Sequence, residues 1–173
     1  ENAIEIQNNL GIPVSATFNN INVPPTYSNL KTFVEHFRPL YDAGVRIVTL
    51  PHTIWMLNGL IQKEFPELKV KNTILRNVQR PNEIVKLAEA GFYYVNLDRD
   101  LMRDKDQLLR IKEAKDYIHA NINPEFKLSL LANEGCWGNC PVQDEHFEYN
   151  FSRTKPEDTT FFADIISKPT CPR

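Results

Sequence analysis

The chain has 173 residues, of which 42% are hydrophobic; that is enough for one domain with a sizeable core and is ordinary for a globular protein. A net charge of −2 gives no general electrostatic pull toward nucleic acid or an acidic membrane surface, and no apolar run approaches the ~20 residues of a membrane span. Three cysteines, Cys136, Cys140 and Cys171, make too sparse and odd a set for a secreted disulfide framework.

A reducing cytoplasm is the expected compartment. Glu1, Asn2, Glu5, Gln7, Asn8 and Asn9 do not read as the basic start and apolar stretch of a secretory leader. The chain opens without methionine and stops at Cys171-Pro172-Arg173, so a piece of a longer protein is expected. Asn150-Phe151-Ser152 fits the glycosylation sequon, a triplet that also arises by chance.

Residues 13–18 (Pro-Val-Ser-Ala-Thr-Phe) read as a strand ending at Asn19 and Asn20. A turn at Pro24 and Pro25 leads to Ser28, an N-cap for a helix to about residue 41. Leu30, Phe33, Val34, Phe37 and Leu40 recur there at helical spacing. Pro39 should bend or end its last turn. After Ala43-Gly44, residues 45–50 form a strand closed by Pro51 and His52. Thr53 can cap a helix through residue 65 with Ile54, Leu57, Leu60 and Ile61 facing inward.

Residues 68–75 are a third strand, ending in Arg76 and Asn77. Residues 81–90 are a short helix stopped by Ala90-Gly91. Residues 92–97 are a fourth strand ending in Asp98, Arg99 and Asp100. Residues 104–120 are a charged amphipathic helix, and residues 126–132 a fifth strand. His36 and His119 fall within helices as surface residues. A helix from Cys140 to about residue 150 and another from about residue 157 to 166 complete the pattern.

This is one strand–helix unit repeated five times. The two Ala-Gly steps stand at the same point of the cycle, just before a strand. Near-continuous apolar strands imply a parallel sheet covered on both faces, joined by right-handed crossovers. The expected organisation is a single α/β domain over residues 1–173, with the repeat running to about residue 150 and a helical extension over 151–173. Two architectures fit: a doubly wound open sheet, and a TIM-barrel-like (β/α) repeat that is an incomplete barrel, since a full barrel takes roughly 250 residues. Six glycines without a G-x-G-x-x-G motif weaken the nucleotide-binding form of the open sheet.

Every strand exit carries hydrogen-bonding or charged groups. They are Asn19 and Asn20; His52; Arg76 and Asn77; Asn96, Asp98 and Arg99; and Asn133, Glu134 and Cys136. In a parallel sheet these exits share one edge and could converge on a pocket. Equally, loops are polar everywhere, and Asn and Asp cap helices. In the pocket reading, His52, Arg99 and Glu134 are the catalytic candidates, and Asn19, Arg76, Asn77, Asn96, Asp98 and Asn133 bind substrate. His52 also reads as a hydrogen-bonded loop histidine. Glu134, leaving a buried strand, would have a raised pKa suited to acid–base work, or would pair with Arg76 or Arg99. Arg99 could clamp an anion at two points.

Cys136-x₃-Cys140 differs from the C-x₂-C spacing of a zinc knuckle. Asn139 is a plausible N-cap that puts Cys140 in the first helical turn, where its thiol pKa would fall. Asp144, four positions on, is better placed than His146 to share an ion with it. Three readings stand: a metal site of Cys136, Cys140 and Cys171 holding zinc or an iron–sulfur cluster; a reactive thiol or redox pair; and small packed cysteines. A fourth cluster ligand would have to be a non-cysteine group or come from outside the chain.

Several segments carry a family resemblance. They are the Leu-Pro-His strand end, Phe65-Pro-Glu-Leu-Lys-Val-Lys-Asn-Thr-Ile-Leu-Arg-Asn77, Glu89-Ala-Gly91, Tyr94-Val-Asn-Leu-Asp-Arg-Asp-Leu101, and Ala132-Asn-Glu-Gly-Cys-Trp-Gly-Asn-Cys-Pro141 with His146. Across residues 13–150 the chain resembles the collagenase-like peptidase family, the U-thirty-two group. The resemblance implies a TIM-barrel-like domain, and by motif position it marks Arg99, Cys136 and Cys140. Members are named as peptidases, and several relatives are iron–sulfur proteins that assist hydroxylation of RNA or quinone precursors. This chain departs from the common four-cysteine arrangement. The implied activity is that of a hydrolytic or modifying enzyme acting on a small-molecule or peptide substrate. The alternatives are a metal- or cluster-binding module and a small-anion-binding domain. An incomplete barrel would expose sheet edges, so a homo-oligomer is expected.

Overall fold

The computed structural model describes residues 2–131 together with Glu145, His146, Glu148 and Tyr149. The chain divides into two compact units, Glu1–Leu130 and Leu131–Arg173. Within the second, only Leu131 and the four helical positions just named are described, so residues 133–140, and Cys171, lie outside the described residues.

The first unit begins with α1 (Asn2–Leu10) and β1 (Ser15–Thr17). α2 (Tyr27–Asp42), β2 (Ile47–Leu50), α3 (Ile54–Leu57) and α4 (Leu60–Glu64) follow. Then come β3 (Lys69–Asn72), α5 (Pro81–Glu89), β4 (Tyr94–Asn96), α6 (Lys105–Asn121) and β5 (Lys127–Ser129). The strands form one five-stranded sheet in the order β1-β2-β3-β4-β5, and every pairing is parallel. A doubly wound sheet reverses its strand order at a switch point; this one never does. Right-handed crossovers between successive neighbours place the connecting helices on one face. The result is a partial TIM-barrel-like fold.

The two faces differ in chemistry. On the helix side, Val48, Leu50, Val70 and Val95 pack with Leu30, Phe33, Phe37, Ile61, Ile84, Ile111 and Ile118, all nearly inaccessible. On the other side the register aligns Thr17, Thr49, Lys71, Tyr94 and Lys127 in one row across all five strands. The Lys71 and Lys127 ammonium groups lie 5.9 and 5.6 Å from the Tyr94 ring centre. Beside them Tyr93 donates to Glu125 at 2.8 Å, and Lys69 donates to the Tyr93 hydroxyl at 3.2 Å. The strands therefore alternate, as in the Lys69–Asn72 pattern, and the expectation of near-continuous apolar runs is corrected.

Local chemistry explains where element boundaries depart from the sequence pattern. Thr26, not Ser28, caps α2 by accepting from the Asn29 N–H at 3.3 Å, and Pro39 is carried inside the last turn. The expected helix over 53–65 is two short helices, because Gly59 at φ 78° adopts a conformation costly for residues with a Cβ. Trp55 and Met56 turn inward there, while Ile54 and Leu57, expected inside, are 57% and 67% exposed. The expected strand 68–75 ends at Asn72 and continues as the 3₁₀ turn Ile74–Arg76. α1 has no counterpart in the sequence reading. Gln7 ties it down, donating to the Gly44 carbonyl and accepting from the Val14 N–H, both at 2.9 Å.

The aromatic centre of the core is Phe37, fully buried. It stacks on Phe33 at 5.6 Å and meets Phe65 edge-on at 5.1 Å. Phe37→Ala is expected to destabilise the fold by about 3–5 kcal/mol through lost burial and a residual cavity, read as a lower urea midpoint with unchanged slope.

Candidate functional site at the carboxyl edge of the sheet

Parallel pairing brings the ends of β2 and β3 side by side, with Leu50 opposite Asn72. The chain beyond each strand then carries His52 and Arg76 into direct contact. Arg76 Nη2 lies 2.5 Å from His52 Nδ1, and Arg76 Nε donates to the Pro51 carbonyl at 2.8 Å. His52 Nε2 is 2.6 Å from the Val23 carbonyl. These partners assign the tautomer: a guanidinium can only donate, so Nδ1 accepts; a carbonyl can only accept, so Nε2 carries the proton. His52 is 4% exposed, and its ring meets Trp55 edge-on at 5.1 Å.

Burial is the main reason the His52 pKa falls below 6.5, and the neighbouring Arg76 charge adds to it, against the opposing pull of the Val23 carbonyl. The histidine is thus a neutral spacer. It pins the β1–α2 loop through Val23 and holds the Arg76 guanidinium from behind. Arg76 itself is exposed and pairs with no carboxylate among the described residues.

The next exit is fastened by amides. Asn72 is 2% exposed. Its Nδ2 donates to the Asn96 carbonyl at 3.1 Å, and its Oδ1 accepts from the Asn96 N–H at 2.6 Å. Asn96 Nδ2 donates back to the Asn72 carbonyl at 2.5 Å. The regular ladder between β3 and β4 has a single registered pair, Lys71 with Tyr94, so side-chain amides extend the seam where backbone pairing stops. Asn96 spends its amide on this seam. The sequence reading missed Asn72; the available signal was an amide closing a Lys-Val-Lys-Asn strand, a place where a buried polar group needs a built-in partner.

Asp98 is 4% exposed, accepts from the Asp100 N–H at 2.7 Å and caps the 3₁₀ turn Arg99–Arg103. Its own N–H donates to the Val78 carbonyl at 2.9 Å, which links the third and fourth exits. Arg99 follows, half-buried. Asn77 sits at φ 49° as the C-cap of the turn bearing Arg76. Asn19 is exposed beyond β1. His52 and Arg76 are therefore in contact and Asn96 is fastened to Asn72, while Asn133, Glu134, Cys136, Cys140 and Cys171 lie outside the described residues.

Among the described residues no group of three or more His, Cys, Asp or Glu could hold a metal ion. His52 has both ring nitrogens engaged, one of them by a guanidinium, and does not suit a metal ligand. No helix among the described residues is long and apolar enough to cross a membrane.

Outside the exits, a cavity of about 600 Å³ lies between α3 and α5 with Arg76 on its wall; Thr53, Leu57, Val78, Lys86 and Leu87 also line it.

No family model matches the chain, and no curated protein matches it significantly. The fold is similar to a solved structure titled "The Structure of the U32 Peptidase Mk0906". The TM-score is 0.51 and the identity 13%, over 83% of this chain and 65% of that one. At that identity the likeness is one of fold. It agrees with the sequential parallel sheet in defining a TIM-barrel-like class, and this chain spans only part of that structure's length.

Two expectations follow. Below about 6.5 an unfolded chain protonates its histidine while the folded site resists, so the His52 contribution is complete above that pH and is lost as pH falls through the lowered folded value. Thermal unfolding from about pH 7.5 to about pH 5 should therefore show a steeper loss for the native protein than for His52→Gln. Asn72→Ala should cost about 1–3 kcal/mol by leaving the Asn96 groups unpaired, and amide hydrogen exchange at Asn96 should accelerate.

Proposed function

We propose that this chain is the barrel arc of a collagenase-like peptidase-type protein. In this reading it acts as a hydrolytic or modifying enzyme on a peptide or other small substrate at the carboxyl edge of its sheet. One observation carries the reading: consecutive parallel strands bring two polar exits into contact as the Arg76–His52 pair. The likeness of fold to a U32 peptidase structure and the Leu-Asp-Arg-Asp-Leu and Asn-Glu-Gly-Cys motifs support it.

The roles divide by chemistry. Arg76, oriented by His52 and the Pro51 carbonyl, holds an anionic group of the substrate. Arg99 provides a second cationic anchor. His52 has both nitrogens occupied and serves as a positioning residue, keeping the guanidinium fixed without adding a second positive charge. Glu134 is the proposed acid or base. The fixed Arg76–His52 pair equally supports a second reading, a small-anion-binding domain without turnover. Cys136, Cys140 and Cys171 would be the ligands of zinc or an iron–sulfur cluster in a metal-binding module; no step of the proposed activity is routed through such a group. Self-association through a sheet edge is proposed alongside.

Turnover of a broad peptide library is expected, falling roughly 100-fold or more in Glu134→Gln, in keeping with loss of a general acid–base group. No turnover at high protein concentration would reject the enzyme reading. Stoichiometric iron or zinc after anaerobic purification, lost in Cys136→Ser, would support the metal module; its absence would reject it.

A further inference from the structure

The cavity between α3 and α5 shares Arg76 with the roles just assigned, and its other lining residues, among them Thr53, Leu57, Val78 and Leu87, have none. Arg76 and Thr53 line it, and its apolar lining includes Leu57, Val78 and Leu87. Leu57 is 67% exposed, a large apolar side chain left on the rim. Beside Ala90, which also lines the cavity, Gln62 donates to the Met56 and Ala90 carbonyls at 2.9 and 3.3 Å. Gly91 there lets the segments approach, since a Cβ would meet the Gln62 amide at 3.3 Å and Met56 at 3.4 Å.

The charges along the groove are unequal in freedom. Glu83 accepts from the Gln79 and Arg80 N–H groups at 3.1 and 3.0 Å, so its charge is committed to the start of α5. Lys86 and Glu89, three positions apart on the same helix, can offset one another. Arg76 is anchored by Pro51 and His52, which leaves N–H groups of its guanidinium for a further acceptor. The Thr53 hydroxyl makes no capping bond to α3. The groove therefore combines a fork of donors anchored beside Thr53 with hydrocarbon side chains in the same lining. A volume of about 600 Å³ falls within the range of small-ligand sites.

We infer that this groove binds a medium-chain aliphatic carboxylic acid, with its carboxylate on Arg76 and Thr53 and its hydrocarbon chain along Leu57, Val78 and Leu87. A peptide is the less suitable occupant, because an extended backbone along Leu57, Val78 and Leu87 would bring amides against hydrocarbon side chains. The inference does not depend on turnover.

The test is titration of the full chain with n-octanoate, followed by amide chemical shifts. Saturable binding is expected, with shifts centred on Thr53, Leu57, Val78 and Leu87. Octanol should bind roughly tenfold or more weakly, and Arg76→Gln should weaken octanoate by a similar factor while leaving octanol unchanged. Leu57→Ser, a change at an exposed position that spares the fold, should weaken both. Equal binding of octanoate and octanol, an unaffected Arg76→Gln variant with native circular dichroism, shifts located elsewhere, or preferential binding of N-acetyl-leucyl-leucine would each overturn the inference. Octanoate binding in a protein without peptidase activity would uphold it while rejecting the enzyme reading.

Discussion

Each strand of the sheet is hydrogen-bonded in parallel to the strand before it in the chain, and this single constraint of pairing organises everything else. Parallel neighbours need a crossover, and crossovers of one hand put the helices on one side. The apolar residues of strands and helices then have one layer to fill, around Phe37, Ile61, Ile84 and Ile118. The same constraint sends every chain exit to one edge. His52 and Arg76, 24 positions apart, become neighbours there without any local sequence feature that pairs them.

The electrostatics of that edge follow from one protonation state. A neutral imidazole between a carbonyl and a guanidinium has both of its ring nitrogens satisfied in a buried position. A charged one would face Arg76 with like charge and have no acceptor at Nδ1. Burial against Trp55 pushes the ring toward the neutral form. The arginine is thereby held in place by a group that does not compete for its counter-ion.

The repeat was legible in the residues because its signals are local. The apolar centres of β2, β3 and β4, the helical spacing of Leu30, Phe33 and Phe37, and the Ala43-Gly44 and Ala90-Gly91 stops all act within a few positions. Boundaries were less legible where tertiary context prevailed. Ile54 and Leu57 have the spacing of an inward face, yet Gly59 ends the helix early and turns Trp55 and Met56 inward instead. α1 depends on Gln7 meeting Gly44, 37 positions away. The Asn72–Asn96 seam links residues 24 apart. At the strand ends, residue types pointed to the carboxyl edge as the candidate site; that His52 meets Arg76 and Asn96 fastens Asn72 depends on contacts between residues 24 positions apart. Residues 133–140, the densest chemical signal in the sequence, lie outside the described residues.

The row Thr17, Thr49, Lys71, Tyr94 and Lys127 bears on how such an arc can be completed. Barrel centres of this class are filled by branched hydrocarbon side chains in layers. Two ammonium groups flanking a phenol cannot enter a dry centre without large desolvation losses. Whatever curls over this surface must bring carboxylates or leave room for solvent. A closed form of this protein would thus enclose counter-charges or water along this row, with Tyr94 as a greasy rung between two ionic ones.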